Sequence, residues 1–152
     1  MAIKINYKKN LPNKTSANLV LFADEKFSIS HIKKYLSDTE YSYVSDLLKT
    51  SDLKKKLLVF ELNSKKKIIL VSIKKDLKTS DIENLGAEFF VLINYGKNSE
   101  YYINSDSVIS KNKIFIGYFL HGLKLKSYEF NKYKTKKDTR TISLNIIEHK
   151  NK

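Results

Sequence analysis

The feature that most constrains the fold of this chain is a run of consecutive apolar residues at 18–23 (NLVLFA). A strand that reads as an apolar run, without alternation, is typical of a sheet that is covered on both faces. Residues 57–62 (LLVFEL) and 67–73 (KIILVSI) are two further strand-like runs, separated by a short polar segment at 63–66. We therefore predict a β-hairpin at 57–73. We place it in the same sheet as the strand at 18–23, which is covered on both faces.

The remaining apolar patterns predict helices between further strands. Residues 2–7 alternate apolar and polar side chains, which is the period of a half-buried strand, and 141–147 (TISLNII) is another strand. Apolar residues at helical spacing predict a helical piece through Ile32, Tyr35 and Leu36. The same spacing predicts three longer helices, which lie at 39–48, from a cap at Thr79 or Ser80 to about Gly96, and at 113–126.

Strands and helices that interleave around one hairpin predict an α/β fold with three layers, in which a mixed sheet carries helices on both faces. Residues 101–103 and 108–109 fit either a brief strand or a buried loop in that arrangement. A length of 152 residues suits a single domain, which we expect to cover residues 1–147. The polar residues 148–152 are expected to form a frayed tail.

The charge of the chain is strongly unbalanced, because 29 basic residues against 16 acidic residues give a net charge of +13. This balance suggests a nucleic-acid-binding module. However, Arg140 is the single arginine. Arg is the residue used for bidentate reading of guanine and phosphate, whereas Lys is a hydrated point charge on a flexible stem. Lys, Asn and Ile all have A/T-rich codons, so genome base composition is the cause that we favour. A basic surface would still attract polyanions at low salt.

Several classes of protein have no support in the sequence. The chain contains no Cys, which excludes disulfides, Cys-based metal sites and a thiol nucleophile, and fits a reducing cytoplasm. Its first residues, MAIKINYKKN, contain no apolar signal segment. No apolar run approaches the roughly 18 residues that a membrane span needs. We therefore expect a cytoplasmic protein.

Motifs for catalysis and cofactor binding are missing as well. The four glycines form neither GxGxxG nor a Walker-type loop, and neither HExxH nor Gly-x-Ser-x-Gly occurs. His31, His121 and His149 are far apart, and no acidic residue follows His121 at the spacing of a metal pair. Most carboxylates lie at helix starts or in turns, where capping explains them. The sequence thus predicts no catalytic, cofactor-binding or metal-binding residue in this chain.

The most distinctive segment, residues 117–137, joins the last predicted helix to an aromatic and basic exit. Tyr128, Phe130 and Tyr133 are interpreted as aromatics that leave the helix and anchor the segment after it. The predicted apolar face of the helix comprises Ile114, Phe115, Tyr118, Phe119, Gly122 and Leu123. Interleaved Lys and Tyr side chains also suit contact with single-stranded nucleic acid. The lysines placed for such polyanion contact are Lys124, Lys126, Lys134, Lys136 and Lys137.

The same segment resembles the end of the N-terminal domain of the leucyl aminopeptidases, also called cytosol aminopeptidases. In that family the pattern is close to L-R-S-Y-R-F-D-K-Y-K-T, followed by a strand. The matching residues here are Leu125, Ser127, Tyr128, Phe130, Lys132, Tyr133, Lys134 and Thr135. Lys126, Glu129 and Asn131 stand where the family has Arg, Arg and Asp. Elsewhere the order of elements fits, and the similarity there is in pattern more than in identity.

The resemblance implies an N-terminal α/β domain that is related in fold to macro domains. It also implies a hexameric parent enzyme that removes N-terminal residues from peptides with the help of two divalent metal ions. The family's metal ligands, its catalytic Lys and Arg and its N-T-D-A-E-G-R signature belong to a C-terminal domain of roughly twice this size, and none of them follows Ile147. We therefore expect a non-catalytic domain that serves assembly or regulation, with the catalytic domain and neighbouring subunits as its partners.

Two alternatives stand beside this expectation. A basic nucleic-acid-binding module is supported by the net charge and mildly by the resemblance, because some bacterial aminopeptidases of this kind also bind DNA. A macro-domain-like binder of ADP-ribose rests on fold analogy alone. The shortage of glycine in the loops counts against ADP-ribose, because cradling a phosphate needs close approach of the backbone.

Overall fold

The computed structural model describes residues 2–8, 18–24, 26–27, 30–51, 54–62, 66–74, 77–94, 100–108, 114–132 and 141–147. The strands in this part of the chain are β1 Ala2–Lys8, β2 Asn18–Asp24, β3 Leu57–Glu61, β4 Lys67–Ile73, β5 Glu100–Asn104 and β6 Thr141–Ile147. The α-helices are α1 Asp38–Leu48, α2 Thr79–Asn94 and α3 Phe115–Lys132. Two short 3-10 helices cover Ser30–Tyr35 and Ser105–Ser107. The predicted tail at 148–152 lies outside the described residues.

The strands form one mixed sheet in the order β1–β6–β5–β2–β4–β3. Every neighbouring pair is parallel except β3 and β4, which are antiparallel. This pair is the predicted hairpin, which is confirmed. Strand β2 lies between β4 and β5, with Val20 opposite both Ile69 and Ile103. The strand that the sequence reads as a continuous apolar run therefore lies in the interior of the sheet.

Alternate residues of β2 pack on opposite sides of the sheet. Val20 and Phe22 belong to an apolar cluster that includes α2 and α3, whereas Leu19 and Leu21 belong to a second cluster that includes α1. All four side chains are buried. The sheet thus carries helices on both faces, and the predicted three-layer α/β fold is confirmed.

The ends of several elements differ from the sequence predictions. Thr79 and Ser80 lie inside α2, and the carboxylate of Asp81 caps the helix by accepting a hydrogen bond from the Lys78 N–H (3.0 Å). Helix α3 continues six residues past the predicted end, to Lys132. The choice that the sequence left open at 101–103 is settled in favour of a strand, β5.

Two further predictions concern the helical piece through Ile32 and the end of the helix at Gly96. The helical piece through Ile32 is a 3-10 helix, while the predicted helix end at Gly96 lies outside the described residues. No helix in the described ranges is both long and apolar enough to cross a membrane.

Helices α2 and α3 touch backbone to backbone at two glycines. A Cβ atom added to Gly86 would lie 1.9 Å from the Phe119 carbonyl oxygen, and one added to Gly122 would lie 1.9 Å from the Glu83 carbonyl oxygen. Neither position has room for a methyl group, because both distances are far below van der Waals contact. The missing side chains let the two helices approach closely, and the rings of Phe89 and Phe119 meet between them with centroids 5.5 Å apart.

Gly86→Ala and Gly122→Ala are each expected to lower the free energy of unfolding by at least about 1–3 kcal/mol, the usual cost of extra atoms in a packed core. Gly117→Ala is the matched control, because a Cβ added there meets nothing within 4 Å. The better helix propensity of alanine should make this control more stable by up to about 1 kcal/mol. Urea denaturation followed by circular dichroism measures all three variants. Equal stabilities would contradict this account of the helix contact.

A nearly buried ion pair fastens α1 to the hairpin. Lys66 Nζ lies 2.5 Å from Glu40 Oε2, and the two side chains are only 10% and 17% exposed. Glu40 also closes a capping box, because its Oε1 accepts from the Ser37 N–H while the Ser37 Oγ accepts from the Glu40 N–H. Burial by itself raises the pKa of Glu40. Hydrogen bonds from Lys66 and Ser37, together with the Lys66 charge, outweigh burial and hold that pKa below its usual value of 4.5.

Because the pKa of Glu40 is lower in the folded chain than in the unfolded chain, the pair stabilises the fold at neutral pH and ceases to do so as pH falls through the folded-state value. Glu40→Gln preserves the capping box, so we expect it to be less stable than the wild type at neutral pH. The difference should close below a pH of about 4.5. Urea midpoints measured across this pH range test the expectation.

Glu61→Gln is the control for this experiment. The Glu61 carboxylate is 69% exposed and lies 3.8 Å from Lys67 Nζ, and an exposed pair of this kind contributes little. Its difference from the wild type should be small at every pH. A Glu40→Gln difference that does not change with pH would show that the ion pair plays no part in stability.

Candidate functional site on the outer face of helix α3

The inner face of α3 is fixed by aromatic packing. Phe115, Phe119 and Leu123 are buried. The rings of Phe115 and Phe119 each lie 5.5 Å from the ring of Phe22 on β2, edge to face. Further along the helix, the Phe130 ring lies 5.5 Å from that of Phe90 on α2. These contacts fix the rotation of α3 about its axis and therefore decide which side chains face outward.

The outer face carries a line of large side chains, which we call the α3 stripe. It consists of Ile114, Tyr118, His121, Leu125 and Tyr128, at successive spacings of four, three, four and three residues. Ile114, Leu125 and Tyr128 are 57%, 52% and 70% exposed. Scattered exposed apolar residues are normal, whereas a contiguous exposed patch marks an interaction surface. The spacing is that of the a and d positions of a coiled coil.

One end of the α3 stripe borders a shallow, open pocket of about 340 Å³. Its lining consists of Gly117, Tyr118 and His121 from α3, Glu83 from α2, and Ile114, which directly precedes α3. Gly117 leaves this part of the helix surface open, because no side chain fills the space above it. The His121 Nδ1 contacts the Glu83 carboxylate, so the pair ties α2 to α3 at the rim of the pocket.

The contact between His121 and Glu83 was missed at the sequence level. A single helix supplies partners three or four residues away, whereas the partner of His121 lies 38 positions away on another helix. The described residues contain no group of three or more His, Cys, Asp or Glu that could hold a metal ion. His149 lies outside the described residues.

The residues that match the aminopeptidase pattern have different roles on α3. Leu125 and Tyr128 are exposed, whereas Ser127 is buried and its Oγ donates a hydrogen bond to the Lys124 carbonyl oxygen (2.8 Å). Phe130 is half-buried against α2, and Lys132 is exposed at the end of the helix. Tyr133, Lys134 and Thr135 lie outside the described residues.

Two interpretations of this segment are wrong. Tyr128 and Phe130 do not leave the helix, because α3 continues to Lys132. Ile114 does not belong to the buried face, because it precedes the helix by one residue and is displaced from Phe115 by about 100° around the axis. The alternation of fours and threes that continues from Ile114 to Tyr128 is present in the sequence, but this spacing does not distinguish an exposed face from a buried one.

The proposed polyanion contacts are only partly described. Lys124 is exposed beside the α3 stripe. Lys126 is half-buried, with its Nζ 3.5 Å from Glu129 Oε1 and 5.7 Å from the centre of the Phe130 ring. Lys134, Lys136 and Lys137 lie outside the described residues, so polyanion contact stays a prediction. Lys126 is poorly placed for it, since it already has an acidic partner.

The carboxyl edge of the parallel strands is the usual ligand site of an open α/β sheet. Here the 3-10 helix Ser105–Ser107 is tied across this edge. The buried Ser107 Oγ accepts a hydrogen bond from the Phe22 N–H (2.9 Å) and donates one to the Asn104 carbonyl oxygen (2.7 Å). The Asn104 side chain is buried, and neither of its polar atoms has a hydrogen-bond partner among the described residues. This edge is packed rather than open at β2 and β5.

Comparison with known proteins identifies the fold. No family model matches the sequence, and no curated protein matches it. Among solved structures, a mutant of the tomato leucine aminopeptidase aligns with a TM-score of 0.70 at 17% identity, covering 97% of this chain and 33% of that chain. The cytosol aminopeptidase from Coxiella burnetii aligns with a TM-score of 0.53 at 12% identity, covering 94% of this chain and 29% of that one.

A third solved structure has the length of this chain. The macrodomain of Thermus aquaticus DarG aligns with a TM-score of 0.59 at 9% identity and covers 97% of this chain and 99% of that one. The chain therefore spans about a third of the aminopeptidases and the whole of a macrodomain. The predicted resemblance to the N-terminal domain of leucyl aminopeptidases and to macro domains is confirmed for the fold.

Proposed function

We propose that this chain is a non-catalytic assembly domain of an aminopeptidase-type protein and that the α3 stripe is its contact surface. The observation that carries the proposal is that Ile114, Leu125 and Tyr128 are exposed on a helix whose opposite face is packed into the core. Covering the exposed Leu125 and Tyr128 side chains with a partner would remove their apolar surface from water, which is favourable. The fold supports the same role, because it corresponds to one third of a leucine aminopeptidase.

Peptide hydrolysis would be carried out by the partner, not by this chain. Two-metal hydrolysis needs several ligands that converge on ions about 3.5–4 Å apart, and the described residues provide no such group. The two divalent metal ions and the catalytic residues would lie in the catalytic domain. The proposed partners are that catalytic domain and neighbouring subunits of a homo-oligomer, which is a hexamer in the family that the chain resembles. The proposed location is the cytoplasm.

Co-expression with the aminopeptidase catalytic domain of the source organism tests the proposal. We expect the two to co-elute in size-exclusion chromatography at a mass well above the 17.7 kDa of this chain. We also expect the purified chain alone to hydrolyse no leucine anilide in the presence of manganese or zinc. Leu125→Ser combined with Tyr128→Ser should abolish co-elution without unfolding the chain, because exposed positions tolerate substitution.

Two results would refute the assembly role. One is metal-dependent hydrolysis that co-purifies with this chain and is retained through successive columns. The other is a wild-type chain that never co-elutes with the catalytic domain. The control for co-elution is Tyr7→Ser, since Tyr7 is as exposed as Tyr128, at 71%, and lies on β1.

Nucleic-acid binding is the second candidate function, and the net charge of +13 favours it. Contacts with several phosphates should give a log–log salt dependence of about −0.9 per contact on duplex DNA. Electrophoretic mobility shift or fluorescence anisotropy with a short duplex, measured from low to about 150 mM salt, is the test. Binding that disappears before physiological salt would mark a nonspecific charge effect and leave assembly as the function.

A further inference from the structure

We infer that the α3 stripe pairs with the α3 stripe of a second copy of this chain. The two helices run antiparallel, with Ile114 of each copy against Leu125 of the other. The inference rests on the proposed function, because it names which of the proposed partners meets the assembly surface. It follows from the spacing of the stripe, from the open surface at Gly117, and from the charges of Lys124 and Glu83.

The spacing of the stripe lets it pair with itself. When Ile114 faces Leu125 of an antiparallel second copy, Tyr118 faces His121, and the two-fold symmetry of the pair repeats both contacts. Ile114 and Leu125 are 57% and 52% exposed in a single copy. In this register they cover each other, which removes the two exposed aliphatic side chains of the stripe from water.

Gly117 gives the second copy room to approach. A Cβ added there meets nothing within 4 Å. Together with Ile114, Tyr118 and His121, at positions i, i+3, i+4 and i+7, Gly117 lines the open pocket of about 340 Å³. Four residues at this spacing form a hole that accepts one side chain of a facing helix. In the proposed register that side chain is His121 of the other copy, because it faces Tyr118.

The charges beside the seam complement one another in the same register. Gly117 and Lys124 lie one heptad apart and so flank the seam on the same side, which brings Lys124 of each copy opposite Gly117 of the other. Lys124 is exposed, and no acidic side chain of the described residues pairs with it. Among the described residues that line the pocket at Gly117, Glu83 supplies the carboxylate. The lysine thus approaches an opposite charge, which favours this register.

The two neighbouring registers are less favourable. A shift of one heptad that brings Leu125 against His121 places Lys124 of each copy beside Lys124 of the other, and like charges across an interface are destabilising. It also leaves Ile114 with no stripe residue opposite. The shift in the other direction brings Ile114 against Tyr118 and leaves Leu125 with none. A parallel pair would instead bring each stripe residue against its own counterpart, which gives a different cross-linking pattern.

The pair formed by the isolated chain should be weak. Each copy carries a net charge of +13, and this repulsion is screened only beyond about 8 Å at physiological ionic strength. A contact of one helix per copy is also smaller than a standard interface, which buries about 800 Å² per partner. A covalent cross-link is therefore the suitable way to trap the pair.

Disulfide cross-linking of two single-cysteine variants tests the inference, since the chain has no Cys of its own. Ile114→Cys with a mass tag is mixed with untagged Leu125→Cys under mild oxidation. The mixed dimer should exceed either self-dimer at least about tenfold, because two identical cysteines lie about 16 Å apart along the axis in this register, beyond the reach of a disulfide. Tyr7→Cys, which is exposed on β1, measures cross-linking by random collision.

Charge variants test the contact at the pocket. Lys124→Glu in both members of the mixture should lower the yield of mixed dimer at least about threefold. Lys4→Glu makes the same change of charge at an exposed position on β1 and should leave the yield unchanged. Adding Glu83→Lys to Lys124→Glu should restore it, which separates the contact from an effect of charge on the nearby thiol. Thermal unfolding of every variant confirms that the fold is intact.

Three results would overturn the inference. The first is a mixed dimer no more abundant than the random cross-links of Tyr7→Cys. The second is self-dimers as abundant as the mixed dimer, which would indicate a parallel pair. The third is selective cross-linking of Tyr118→Cys with Tyr128→Cys, which would indicate the register shifted toward His121.

The outcome is independent of the co-elution experiment, because the cross-linked mixture contains no catalytic domain. Co-elution without the mixed dimer would refute the second copy alone. A mixed dimer without co-elution would refute the aminopeptidase partner alone.

Discussion

The arrangement of the helical layer depends on the close contact of α2 and α3 at Gly86 and Gly122. No side chain separates the two backbones there, and aromatic rings of both helices reach the sheet. Phe119 of α3 packs against Phe22, Phe89 of α2 packs against Tyr101, and Phe89 and Phe119 pack against each other. The contact also fixes the orientation of α3. With Gly122 seated on the Glu83 backbone, the neighbouring His121 points to the rim beside Glu83 rather than into the core. The exposed stripe is thus a consequence of how the inner face is packed.

The strands were predictable because their signal is local. A residue in β2 or β4 is buried whichever way it points, so an apolar run without alternation specifies both the strand and its cover. The end of α3 was less predictable, because tertiary contacts extend the helix past its apolar pattern. Phe130 packs on α2, and Ser127 satisfies its hydroxyl within the helix by bonding to the Lys124 carbonyl. The aromatic and basic composition of this segment is equally compatible with a continued helix and with a loop that leaves the helix.

The candidate site was harder to predict than the fold. Its spacing is present in the sequence, but the same fours and threes describe a buried face and an exposed one, and both Ile114 and Tyr118 fit either pattern. Ile114 and Phe115 are adjacent and equally apolar, yet one is 57% exposed and the other is buried. Which of them faces the sheet depends on the rotation of α3, which the glycine contact sets. The partner of His121 comes from α2, so no reading of α3 alone could identify it.

The fold by itself does not choose between the two kinds of protein that share it, since a site rather than a fold carries function. In this chain the two candidate regions differ in construction. An open α/β sheet commonly binds ligands at its carboxyl edge. Here the Ser107 hydroxyl is hydrogen-bonded to both β2 and β5 at this edge, through the Phe22 N–H and the Asn104 carbonyl oxygen. The outer face of α3 instead leaves Leu125 and Tyr128 exposed to water, and the proposed assembly function places the contact surface there. Under the proposed function, the net positive charge would speed encounter with an acidic partner, whereas the exposed side chains of α3 would set the place of contact.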